Sequence, residues 1–126
     1  MKAIILARVS TAEQEEGHSV DAQVDRLREY CQRRNFNVLQ VFRIVESSTK
    51  GKRKDFHAML DFVNSQRETI AVVADAVDRV QRSFKESIIL QDLVDKEKIE
   101  THFNREGMII GKMPAAAILS AGIFPW

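Results

Sequence analysis

Thr69-Ile70-Ala71-Val72-Val73-Ala74 runs directly into Asp75-Ala76-Val77-Asp78-Arg79. The first part is uncharged, apolar and rich in β-branched residues, which reads as a buried strand; the second turns polar at once, as a chain does on leaving a sheet. Upstream, Phe56, Met59, Leu60 and Val63 lie at helical spacing, and residues 38–45 (Val-Leu-Gln-Val-Phe-Arg-Ile-Val) read as another strand. Further back, Val20, Val24, Leu27 and Cys31 form one helical stripe, with Ser19 placed to cap it and Asp21 in its first turn. Residues 2–7 are a short apolar run that reads as the first strand. Downstream, Ser83-Phe84-Lys85-Glu86 has the form of a capping box opening a helix that carries Ile89, Leu90, Leu93 and Val94. A weaker strand follows at 99–103, and Ile109 and Ile110 beyond Gly107 suggest a small hairpin or extension.

Strand and helix therefore alternate along the whole chain. That order predicts an α/β fold with a central, mostly parallel sheet of four to five strands flanked by helices. Ligands of such sheets bind at the carboxyl ends of the strands. Three polar groups of residues follow strands there: Arg8 to Gln14, Glu46 to Arg53, and Asp75 to Arg82.

The 126 residues suit one domain, taken as 1–112, with an uncharged apolar tail at 113–126. No apolar run is long enough to span a bilayer, and the apolar N-terminal run is too short for a secretory signal. The single cysteine, Cys31, rules out an internal disulfide, and a cytoplasmic protein is expected. Net charge is only +1, yet residues 1–60 hold 11 Lys/Arg against 8 Asp/Glu while residues 61–126 hold 8 against 10. Lys50, Lys52, Arg53 and Lys54 form the densest basic run, which by itself is the composition of a solvated loop.

The chemistry suggested by the polar groups is that of arginine beside a hydroxyl. Arg8 and Ser10 are two apart, so in an extended segment they point to the same side. Asp78, Arg79 and Arg82 cluster near the entry to a helix. A guanidinium fits phosphate oxygens and stabilises charge that develops in a phosphoryl transition state, which makes a nearby serine a candidate nucleophile on a phosphodiester. Taken singly, Arg8 pairing with a carboxylate and Ser10 capping a turn are the plainer readings. His18, His57 and His102 form no metal-binding pattern and are expected at the surface; Cys31 is expected to pack in the core.

Read together, Ala7-Arg8-Val9-Ser10-Thr11-Ala12-Glu13-Gln14 resembles the opening motif of the serine recombinases, the resolvase–invertase and large serine integrase family. The likeness continues through Gly17-His18-Ser19-Val20-Asp21-Ala22-Gln23, the stretch from Glu46 to Leu60, and Asp78-Arg79-Val80-Gln81-Arg82, spanning residues 2–110 in order. It implies a resolvase-like catalytic domain and site-specific DNA recombination, the class that serves DNA integration and mobile elements. Ser10 would attack the scissile phosphate to give a 5′-phosphoserine link and a 3′-hydroxyl. Arg8, Arg79 and Arg82 would hold the phosphate and stabilise its transition state, Gln14 and Arg53 would bind DNA phosphate, and Asp78 would hold the arginines or assist proton transfer. Arginines then take the place of a metal, so neither metal nor other cofactor is expected.

The implied partners are DNA and further copies of the chain: dimers and tetramers for a full-length enzyme, a monomer or weak dimer for these 126 residues. The sequence departs from the family at Ala7, where an aromatic is usual. It also shows no recognisable interface helix after residue 110, the tail at 113–126 being at most a truncated start of one, and no DNA-binding domain. Two further readings stay open. One is a truncated, recombination-inactive remnant acting only in oligomerisation or DNA-associated regulation. The other is a small phosphoryl-binding domain whose arginines bind without catalysing.

Overall fold

The apolar run at the amino terminus becomes the strand around which the others are ordered. The computed structural model describes residues 1–11, 17, 19–46, 52–76, 84–105 and 107–111, with the side chains of residues 46, 52–55 and 84 left aside. In chain order the elements are β1 (Lys2–Ser10), α1 (Val20–Arg33), β2 (Asn37–Glu46), α2 (Lys52–Ser65), β3 (Ile70–Ala74), α3 (Phe84–Asp95), β4 (Ile99–Phe103) and β5 (Met108–Ile110). They form one five-stranded sheet in the order β2-β1-β3-β4-β5. The first four strands are parallel, and β5 returns antiparallel along β4. The expected mostly parallel α/β sheet is therefore the observed one, and Ile109 and Ile110 belong to a hairpin.

Alternation along β1 sorts its side chains between two cores. Ile4 and Leu6 pack with Phe56, Met59 and Val63 of α2 and Leu90, Leu93 and Val94 of α3. Ala3 and Ile5 meet Leu27, Tyr30 and Cys31 of α1, and Ala7 and Val9 meet Val20 and Val24 of the same helix. Helix α1 thus covers one face of the sheet, and α2 and α3 cover the other. Covering both faces explains why β3 is uniformly apolar, since all five of its residues are buried. Each of its valine and isoleucine side chains contributes about 1.5–3 kcal/mol by leaving water.

Local signals set the helix ends. Ser19 has extended backbone and its hydroxyl accepts from Ala22 N at 3.0 Å, the expected cap. At the other end of α1, Asn35 takes a left-handed φ of 58°, with Phe36 N donating to Cys31 O and Asn35 N to Gln32 O. Helix α3 closes in the same way, with Glu97 at φ 60° and Lys98 N donating to Leu93 O. Helix α3 runs from Phe84, and Ser83, the cap residue of the capping-box reading, lies outside the described residues.

Two boundaries differ from expectation. Strand β1 does not end at residue 7 but continues to Ser10, because β2 accompanies it that far, ending in the pair Ser10 with Glu46. Helix α2 begins at Lys52, so the basic run, whose composition reads as a solvated loop, is partly helical and places Arg53 in the first turn. The tail at 113–126 lies outside the described residues. Among the described residues no helix is long and apolar enough to cross a membrane.

Candidate active site at the carboxyl end of the sheet

Strand order fixes where a crevice opens. From β1 the chain crosses to β2 on one side, and from β2 it crosses back to β3 on the other, so the connections diverge between β1 and β3. Ligands of open α/β sheets sit at such a switch point, outside the carboxyl ends of the strands. Here the two strands part early: the last β1–β3 pair is Leu6 with Ala74, while β1 runs four residues further, to Ser10.

In place of the missing strand partner, the side chain of Gln23 from α1 pairs with the main chain of Arg8. Arg8 N donates to Gln23 Oε1 at 3.0 Å, and Gln23 Nε2 donates back to Arg8 O at a longer 3.4 Å. Gln23 is buried within the apolar stripe of α1, and this bond pair is the reason a polar residue is tolerated there. Replacing Gln23 with Leu removes both of these bonds to the buried main chain of β1 and is expected to lower unfolding free energy by about 1–3 kcal/mol. A urea titration measures this; an unchanged midpoint would show that the bonds contribute nothing.

Arg8 and Ser10 leave β1 on the face of Ile4 and Leu6, as their two-residue spacing requires. The Arg8 side chain is 1% exposed, and its guanidinium lies 3.7 Å from Glu86 Oε1 in the first turn of α3. A charge taken out of water needs such a counter-ion. Ser10 is half-buried at the strand's last position, where the main chain leaves the sheet.

On the opposite face, Asp75 directly follows β3 and is 3% exposed. Its Oδ2 accepts from Arg105 Nη2 at 2.7 Å and from Arg26 Nη2 of α1 at 3.3 Å. The turn between β4 and β5 is drawn over the end of β3 by main-chain bonds too, from Asn104 N to Ala74 O and from Arg105 N to Asp75 O. Gln14, Asp78, Arg79 and Arg82 lie outside the described residues, and of Arg53 only the backbone is described. The structure thus brings Arg8 and Ser10 together, and adds Gln23, Glu86, Asp75, Arg26 and Arg105 to the same end of the sheet. Gln23 carried one legible signal, a polar residue inside an apolar helical stripe.

His102 corrects the expectation of surface histidines. It is 1% exposed, pressed edge-on between Tyr30 and Phe36. Its Nε2 lies 2.6 Å from Glu100 Oε1 and its Nδ1 lies 2.6 Å from Tyr30 Oη. Because a carboxylate only accepts, Nε2 carries the proton and Tyr30 donates to Nδ1. The sequence misleads here because a strand histidine beside polar neighbours looks solvated, whereas both of its nitrogens are satisfied inside.

Burial holds the His102 pKa below its ordinary value, against the pull of Glu100. The unfolded chain then binds a proton that the folded chain resists, so this contribution is complete above about pH 6.5 and falls as pH drops below it. The urea midpoint is expected to fall between about pH 7.5 and about pH 5, and to fall less in His102→Gln. Equal pH dependence of the two proteins would contradict this. His57 is exposed, and His18 lies outside the described residues.

Cys31 packs in the core as expected, its thiol pushed up to about 11 by burial, which makes it a poor nucleophile. Among the described residues no three His, Cys, Asp or Glu side chains gather as a metal site needs. A hollow of about 280 Å³ lined by Thr69, Glu97, Ile99, Glu100 and Gly111 lies at the other end of the sheet, and its two carboxylates suit no phosphate.

Comparison with known proteins bears on the family and the fold. The family model described as resolvase, N terminal domain, matches residues 3–121. No curated protein matches the sequence. Among solved structures, the N-terminal catalytic domain of TP901-1 integrase superposes with a TM-score of 0.72 at 23% identity, covering 96% of this chain and 90% of the other. A resolvase family site-specific recombinase from Streptococcus pneumoniae gives 0.70 at 20% identity, covering 97% and 85%. The C-terminal catalytic domain of ISC1926 TnpA, an IS607-like serine recombinase, gives 0.65 at 20% identity, covering 96% and 77%. At these identities the likeness is one of fold.

Proposed function

Since the chain belongs to the resolvase N-terminal domain family of serine recombinases, we propose that it cuts and rejoins DNA through Ser10. The Ser10 oxygen attacks the scissile phosphorus, the bond to the 3′ oxygen breaks, and a 5′-phosphoserine and a free 3′-hydroxyl result. The serine proton leaves to a nearby acceptor, and the departing 3′ oxygen gains one. Reversal with a new 3′-hydroxyl rejoins the strands. One phosphodiester replaces another at each step, so no ATP is consumed.

The observation that carries this reading is the end of β1, which presents Ser10 two residues beyond buried Arg8, on one face, in the switch-point crevice. Glu86 keeps the Arg8 guanidinium oriented until phosphate arrives. Arg79 and Arg82 complete the phosphate site, and Asp78 orients them or takes part in proton transfer. Gln14 and Arg53 hold the flanking backbone. These arginines supply the electrostatic stabilisation, so the reading needs no metal. Two duplexes present four strands, so DNA and three further copies of the chain are the proposed partners.

A nicked suicide duplex of the target DNA tests the chemistry, because the short fragment lost after cleavage prevents rejoining. The expected products, formed in the presence of a chelator, are protein linked to the 5′ end and a released fragment whose 3′-hydroxyl a terminal transferase extends. Hydrolytic ends without linked protein would contradict the reading, and no cleavage at all would favour the inactive remnant.

A further inference from the structure

We propose that Arg26 and Arg105, held side by side on Asp75, form a second phosphate site that grips the DNA backbone away from the scissile position. This rests on the reading of the protein as a DNA-cutting enzyme. The two arginines come from distant parts of the chain, α1 and the β4–β5 turn, and converge on one oxygen, Asp75 Oδ2. Asp75 is almost wholly buried, with 4% of its side chain exposed, whereas the arginines are 51% and 57% exposed. The anchor therefore faces inward and the cations face water.

A guanidinium has five N–H donors, and a shared carboxylate oxygen engages few of them. Among the described residues Asp75 is the one carboxylate within ion-pair distance of either arginine. Two cations on one anion leave a local charge of +1. Both forks are also pre-ordered, so gripping a diester costs little further side-chain entropy. The shared carboxylate ties α1 to the β4–β5 turn, yet it balances only one of the two cations, and the remaining charge is left to water or an anion.

Position agrees with charge. Asp75 is the first residue after β3, at the carboxyl end where β1 and β3 separate and where Arg8 and Ser10 stand. Asp75 continues the alternation of Ala71 and Val73, so the pair lies on the α1 face, opposite Arg8. A duplex seated over the strand ends would offer one phosphate to Ser10 and another to this pair.

The test is the salt dependence of affinity for a short duplex, measured by fluorescence anisotropy from about 50 mM to about 200 mM salt. Each lost phosphate contact reduces the log–log slope by about 0.9. Arg26→Gln and Arg105→Gln are each expected to show that reduction and to weaken binding several-fold at low salt. Arg26→Lys is expected to keep the slope. Arg67→Gln, an equal loss of charge at the exposed opposite end of the sheet, is expected to leave it unchanged, and urea midpoints confirm that each variant is folded. Wild-type slopes in both glutamine variants, an equal drop in Arg67→Gln, or no measurable binding by the unaltered chain would each overturn the proposal. Covalent trapping at Ser10 reads the underlying enzyme assignment separately, so loss of the adduct with an intact slope effect would sink that assignment alone.

Discussion

Ser10→Ala is expected to lower DNA cleavage by about 10⁴-fold or more, since a nucleophile has no substitute once its oxygen is removed. The fold should hardly register the change. Ser10 is half-buried at the last position of β1, where the loss of one oxygen creates no cavity in the apolar cores on either side. Single-turnover cleavage of a nicked duplex, paired with a urea titration, separates the two effects. Cleavage within about tenfold of the unaltered protein would assign Ser10 a structural role.

Arg8 is expected to divide its effect between stability and chemistry. Its side chain is 1% exposed beside a Glu86 side chain that is 14% exposed. Arg8→Ala therefore removes a buried cation from beside that carboxylate and opens a cavity, and should cost about 3–5 kcal/mol of stability. Arg8→Lys keeps the charge and most of the volume but replaces a planar fork with a point charge. Its expected signature is a stable protein whose cleavage is slower by about 10²–10³-fold, the magnitude typical of losing one transition-state donor. The same contrast between lysine and arginine is expected at Arg79 and Arg82. A fully active Arg8→Lys protein would mean that Arg8 serves only as the buried partner of Glu86.

Periodicity made most of the fold legible. The uncharged run at 69–74, the stripe Val20, Val24, Leu27 and Cys31, and the cap at Ser19 each matched an observed element to within a residue, because burial on both faces of a parallel sheet imposes the apolar patterns directly. Strand ends were less legible. A strand continues while partners exist for its main chain, and the partners of Arg8 to Ser10 are β2 and the Gln23 amide, both remote in sequence. His102 was misread for the same reason, since its surroundings come from Tyr30 and Phe36, far along the chain. Arg8 and Ser10 were legible through spacing and through the family motif. The meeting of Asp75, Arg26 and Arg105 was not, because no local pattern announces that residues distant in sequence converge on one carboxylate oxygen.

Identification of the atom that holds the DNA tests the central claim most directly. After trapping on a nicked duplex, nuclease and trypsin digestion would leave a nucleotide on the peptide running from Val9 to Arg26, which contains Ser10, Thr11 and Ser19. Fragmentation in a mass spectrometer then locates the phosphate. The account predicts a nucleotide 5′-phosphate esterified to Ser10 and to no other residue. A phosphate on Thr11 or Ser19, or on any other peptide, would contradict it.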